Sequence, residues 1–131
     1  MGHAGGVEFL SSRVVVRPRD RQRSLAFYRD ALGLAVYREF PGGTVFFLGN
    51  GFLELSGQGD AGPTPDVVLW LQVRHLAATA QELAYRRVPV LREPREESWG
   101  LHEMWITDPD GLKIVLVEIP EDHPLRRDQR G

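Results

Sequence analysis

Few side chains in this sequence can do chemistry, and their types narrow it quickly. There is no cysteine, so thiol nucleophiles, thiolate metal sites and disulfides are excluded, and a cytoplasmic setting is expected. The four histidines stand at 3, 75, 102 and 123. None has the HxH or HxxxH spacing that puts two imidazoles on one ion. His102, close in sequence to Trp99, is the one expected to reach a cleft, as a hydrogen-bond partner or proton shuttle. The other candidate is Glu54, an isolated carboxylate in the apolar run FLEL. Three roles stay open for it. It is a general base with its pKa raised by desolvation, an anchor for a cationic or hydroxyl-bearing ligand, or the partner of Arg13 or Arg17 in an ion pair. There is no GxSxG and no P-loop. Residues 57–62, GQGDAG, spell GxGxxG, but two prolines follow and then a strand, whereas a dinucleotide loop must open a helix.

Aromatic groups carry more information. Phe52 and Trp70 fall on one strand face by alternation. Trp99 precedes Gly100 in a loop, and either Phe46 or Phe47 lies across a hairpin from Phe52. Which phenylalanine faces inward depends on the length of the turn at Asn50-Gly51; Met104 and Trp105 pose the same question. Such rings suit the stacking of a flat ligand, at roughly 0.5–1.5 kcal/mol per ring pair beyond area burial.

The elements that must position these groups are organised around residues 108–118, DPDGLKIVLVE. Pro109, Asp110 and Gly111 make a turn. The strand after it is apolar on both faces from Ile114 to Val117, so it is expected to be central in its sheet. Residues 49–57, GNGFLELSG, repeat the plan of a turn and a strand. Ahead of each repeat lie a strand (13–17; 67–73), a helix (from Asp20 as N-cap to Gly33; 76–87) and further strands (35–40 and 44–48; 90–92 and 102–107). Residues 93–99 read as a polar loop. The pattern is β-α-β-β-β, twice. The expected divisions are a first module at 11–57, a linker rich in Gly and Pro at 58–66, a second module at 67–119 and a mobile tail at 120–131, all in a single α+β domain over 1–131.

Alternation divides the long strands into two faces. One holds Val14, Val16, Leu53, Leu55, Leu69, Leu71, Val73, Ile114 and Leu116, all aliphatic, and must meet the helices. The other mixes Arg13, Val15, Arg17, Phe52, Glu54, Val68, Trp70, Gln72, Lys113, Val115 and Val117. Apolar walls with a few polar groups suit a pocket; the same face would also serve as a subunit interface or a polar-rimmed core.

Composition sets the outer bounds. The chain has 131 residues, 42% of them hydrophobic and 26% charged, which is ordinary for one globular domain. A net charge of −2 gives no bulk attraction to nucleic acid or an anionic membrane. No apolar run approaches the roughly 20 residues of a membrane span, and the start lacks the regions of a signal peptide.

The segments RSLAFYRDALGL (23–34), Asn50-Gly51 before FLEL, WLQVRHLAATAQELAYRRVPV (70–90), Trp99-Gly100 and DPDGLKIVLVE together resemble the vicinal oxygen chelate superfamily. It includes glyoxalase I, extradiol dioxygenases, fosfomycin thiol transferases and bleomycin-resistance proteins. The likeness runs from about residue 13 to 119. It implies two βαβββ modules whose mixed sheets curl around a cleft, with helices on the outer face, and often a homodimer whose cleft draws on both chains. Its enzymes hold a divalent metal at four positions, which fall here on Arg13, Glu54, Val68 and Val115. Only Glu54 has a ligating atom, so no metal and no other cofactor is expected. The resemblance therefore implies a binding protein of the bleomycin-resistance type. Its ligand is expected to be a planar aromatic or antibiotic-like small molecule, held by Arg17, Phe47, Phe52, Glu54, Trp70, Gln72, Trp99, His102 and Val115. The alternative is an enzyme of the superfamily, a lyase, isomerase or dioxygenase-like protein, that uses Glu54 and His102.

Overall fold

The computed structural model describes residues 6–125. It contains two four-stranded mixed sheets. The first module runs β1 (Arg13–Val16), α1 (Arg21–Leu25), β2 (Val36–Phe40), β3 (Gly43–Leu48) and β4 (Gly51–Ser56). The second runs β5 (Val68–Gln72), α2 (Leu76–Tyr85), β6 (Val90–Glu96), β7 (His102–Thr107) and β8 (Lys113–Glu118). The strand orders are β1-β4-β3-β2 and β5-β8-β7-β6, with the first and last strand of each module parallel. The strands after both turns, β4 and β8, are internal, which for β8 is what its two-sided apolar run from Ile114 to Val117 requires. Both sheets are open rather than curled.

Asp20 caps α1 as expected, its carboxylate accepting from the Arg23 amide. The helix then widens into a π-helical segment, Ala26–Ala31, closed by the Leu32 amide donating to the Phe27 carbonyl. The wider turn lets two neighbours, Phe27 and Tyr28, both face the core, edge to face at 5.0 Å. Gly33, at φ +71°, ends the helix. A Cβ there would also stand 3.0 Å from the Arg86 guanidinium, which donates to the Asp30 and Ala31 carbonyls at 3.2 Å each. A cation from the second module thereby satisfies the last carbonyls of the first helix.

The aliphatic faces of both sheets and the inward faces of both helices share one core. Tyr28, Phe46, Leu53 and Leu55 of the first module meet Leu76, Leu83, Met104, Ile106, Ile114 and Leu116 of the second. One expectation from sequence is corrected. Residues 93–96 are not loop but the end of β6, an edge strand interrupted by register shifts around Pro94. Proline is tolerated there because an edge strand has no partner for the missing amide on its outer side. As far as the tail is described, His123 anchors it next to Trp99. His123 Nδ1 accepts from the Leu125 amide, and Nε2 lies 3.0 Å from the Trp99 carbonyl. An accepting Nδ1 puts the proton of a neutral ring on Nε2, which then donates to Trp99. His3 and the tail residues 126–131 lie outside the described residues. No helix among the described residues is long and apolar enough to cross a membrane.

Candidate functional site

A concavity of about 920 Å³ opens between the two edge strands β1 and β5. Its lining is largely aliphatic, from Leu32, Leu34, Leu48, Leu69, Leu71, Leu83 and Leu116, with Arg13, Asn50, Gln72, Arg74 and Thr79 as polar points. Because β5 is an edge strand, both of its faces border the opening. Leu69 and Leu71 reach it from the core side, Trp70 and Gln72 from the other. Phe52 reaches it from β4. Volume and lining match a small-molecule pocket, which spans roughly 300–1,000 Å³ and is mostly apolar with a few polar groups.

Register decides which aromatic residues join this region. Leu48 pairs with Gly51 across a tight turn, so Phe47 stands opposite Phe52 and Phe46 opposite Leu53. Phe46 is fully buried in the core, and Phe47 is half exposed beside Phe52, their rings 5.7 Å apart. Sequence reasoning missed Tyr37, whose ring lies 5.0 Å from Phe47 and 4.9 Å from Phe52. Val36 stands opposite Phe46, so alternation puts Tyr37 on the side of Phe47; the division of the long strands into two faces leaves β2 out. The Arg13 guanidinium lies over the Phe52 ring at 5.9 Å, a cation–π arrangement.

Glu54 lies one step along the same face, outside the cleft lining. Its Oε1 accepts from Arg13 Nη1 at 2.8 Å and its Oε2 from the Ser56 hydroxyl at 2.6 Å. Arg17 completes the row, donating to the Ser56 hydroxyl oxygen at 2.8 Å. The Ser56 hydroxyl and then Arg13 hold the Glu54 carboxyl below its ordinary value. Of the three roles left open, the geometry displays the ion pair. A carboxylate with both oxygens committed and its acidity increased is a poor base at neutral pH.

The residues present do not fit a metal of the kind the fold would hold. Glu54 is tied to a permanent cation, Arg13, while Val68 and Val115 have no donor atom. Among the described residues there is no group of three His, Asp or Glu that could hold an ion.

The remaining expected site residues are dispersed. Val115 faces the mixed side between Trp70 and Trp105, but it is only 3% exposed. It packs in a second small core with Leu101, Val117 and Ile119. Alternation gives the side a residue faces, not what covers it; here a loop leucine does. His102 is on the opposite side, with Met104 and Ile106, and pairs with Glu96 at 3.5 Å. It is not among the residues that line the cleft; the strand parity that places Trp105 on the mixed side puts His102 on the other. Trp99 lies apart from the cleft, its indole N–H donating to Glu103 Oε2 at 3.0 Å. Trp105 is its neighbour around a smaller hollow on the far part of the second sheet.

Comparison with known structures fits this architecture. A protein of unknown function from Agrobacterium tumefaciens str. C58 superposes with a TM-score of 0.71 at 23% identity, over 88% of this chain and 97% of that one. A lactoylglutathione lyase from Agrobacterium tumefaciens gives 0.68 at 18% identity, over 87% and 96%. A glyoxalase/bleomycin resistance protein/dioxygenase from Nocardioides gives 0.74 at 15% identity, over 92% and 91%. At these identities the likeness is one of fold. No curated protein sequence matches the chain at a significant level. The family model for the Glyoxalase/Bleomycin resistance protein/Dioxygenase superfamily matches residues 11–116, and the chain belongs to that superfamily.

Proposed function

We propose that this chain is a cytoplasmic small-molecule binding protein that sequesters a planar aromatic ligand in the cleft between β1 and β5, without a metal. The observation that carries the reading is the combination of Trp70 and Phe52 at the mouth of an aliphatic cleft with a bound-in guanidinium, Arg13, beside the lone acid of the region. Flat apolar ligands gain from ring stacking and from aliphatic walls, and Gln72, Asn50 and Arg74 supply orienting groups. The commitment of Glu54 to Arg13 and Ser56, and the position of His102 on the other side of its sheet, speak against the enzymatic alternative that uses these two residues.

The reading includes a homodimer. Val14, Val15, Val68, Trp70, Tyr37 and Phe47 are all exposed on or next to the mixed faces, more apolar surface in one region than a monomer usually leaves in water. A second copy laid over these faces would cover them and wall in the cleft.

The test is a titration of purified protein with a panel of planar aromatic compounds, following indole emission, in wild type and Trp70→Phe. Saturable quenching that disappears in Trp70→Phe supports the reading; no saturable change at Trp70 across the panel overturns it. Light scattering on the same sample checks the dimer.

A further inference from the structure

The hollow on the far part of the second sheet has a different character from the cleft. It encloses about 500 Å³ and is lined by Leu91, Arg92, Arg95, Glu97, Trp99, Glu103 and Trp105. Alternation does not reveal it, since Arg92 and Arg95 are brought to one side only by the bulged strand β6.

Donors and acceptors in it do not balance. Glu97 and Glu103 are both buried, and both are used. Glu97 accepts from Arg92 Nη2 and from Arg95 Nε. Glu103 accepts from the Trp99 indole and lies 3.9 Å from Arg92 Nη2. Arginine brings five N–H groups, carboxylates only acceptors. Arg92 Nε is buried with no hydrogen-bond partner. Arg95 uses only Nε, on Glu97, so its two Nη groups are left without a partner among the described residues. The pairing with Glu97 fixes the base of that guanidinium and leaves its forked end presented. Around it stand three apolar groups: Trp99, exposed by 58%, Leu91, exposed by 55%, and the partly buried Trp105. A fork of parallel N–H groups beside two indoles is complementary to a planar ring that carries a carboxylate.

The geometry points to a second ligand site at this hollow, selective for aromatic carboxylates. The ring lies against Trp99 and Trp105, and the carboxylate accepts from the Nη groups of Arg95. A neutral aromatic amide of the same shape offers one acceptor oxygen where the carboxylate offers two charged ones, and binds more weakly.

The test uses the full chain with Trp70→Phe, which silences the cleft and leaves Trp99 and Trp105 as reporters. It is titrated with 2-naphthoate and, separately, 2-naphthamide, with correction for ligand absorbance. The expected result is saturable quenching by 2-naphthoate at an affinity roughly tenfold or more above that of the amide. Adding Arg95→Gln is expected to lower naphthoate affinity to the level of the amide and to leave the amide unchanged. Arg95 is largely exposed, so the variant is expected to fold; its unfolding midpoint is measured alongside. Equal affinity for the two probes, no effect of Arg95→Gln on naphthoate, or no saturable quenching each overturns the proposal. Because the cleft reading is tested through Trp70 and this one in its absence, either can fail alone.

Discussion

The Tyr28 hydroxyl donates to Asp108 Oδ2 at 2.7 Å, both groups buried and 80 residues apart in sequence. The other oxygen of Asp108 accepts from the amides of Asp110 and Leu112 at 2.9 Å each. One carboxylate thus shapes the Asp-Pro-Asp-Gly turn and fastens it to the first helix. A second tie runs beside it, from the Arg19 amide to Asp110 Oδ2 at 3.1 Å. The turn that marks the superfamily is, in this chain, a clasp between the two modules and not a part of the cleft.

Tyr28→Phe removes the donor and leaves an acceptor of a buried carboxylate without its partner. The expected cost is about 1–3 kcal/mol of unfolding free energy, measured by urea denaturation at neutral pH. The same hydroxyl gives a pH signature. Burial, and then Asp108, push its pKa well above the ordinary 10.0. Its contribution is therefore full below pH 10.0 and is lost progressively as pH rises above it toward the folded value, because only the unfolded state then ionises. The fall in stability on the alkaline side is expected to be shallower in Tyr28→Phe.

Glu54 gives the opposite sign. Its carboxyl is held below the ordinary 4.5 by the Ser56 hydroxyl and Arg13. Its contribution is present above that value and is lost as pH falls through the lowered folded one. Glu54→Gln is expected to flatten the acid limb of the stability curve while leaving ligand affinity in the cleft close to wild type. Carboxyl carbon chemical shifts against pH, in wild type and Arg13→Ala, check the cause directly: loss of the guanidinium is expected to raise the Glu54 titration midpoint.

Divalent ions are expected to be irrelevant to stability. Titration with zinc or manganese, or treatment with a chelator, is expected to leave the thermal midpoint unchanged, since a ligand that binds only the folded state would raise it. A saturable upward shift at equimolar metal would contradict the argument from donor atoms.

Core and cleft separate by mutation. Leu55→Ala truncates a fully buried side chain of the shared core that does not line the cleft and is expected to cost about 2–5 kcal/mol. Trp70→Ala acts on a ring that is 47% exposed. It is expected to change stability far less yet to abolish binding in the cleft; paired denaturation and titration experiments make the comparison.

Much of this was legible in the chain itself. A two-sided apolar run placed β8 inside its sheet, and Asp20 and Gly33 bounded the first helix. Alternation put Phe52, Trp70 and Gln72 on one side, and all three border the cleft. It stopped short in three places, each for a local reason. Tyr37 shares the side of Phe47 because its neighbour Val36 stands opposite Phe46, but the division into faces covers only the long strands, and β2 is not among them. Val115 faces the expected way but is covered by Leu101, which is distant in pattern though not in space. Arg92 and Arg95 were hidden because β6 reads VLREPRE, with a proline and four charges and no apolar period. Beyond Arg92, only pairing with β7 shows it to be a strand.

Pro94 has a consequence of its own. It interrupts the outer margin of the second sheet at a point where an incoming extended chain would need an amide hydrogen, and the register shifts around it bend that margin. Ribbon-like growth, with one molecule adding its backbone to the next, is obstructed on that flank. Trp99, Trp105 and Leu91 can therefore stay accessible next to this rim without offering a flat template for fibril formation.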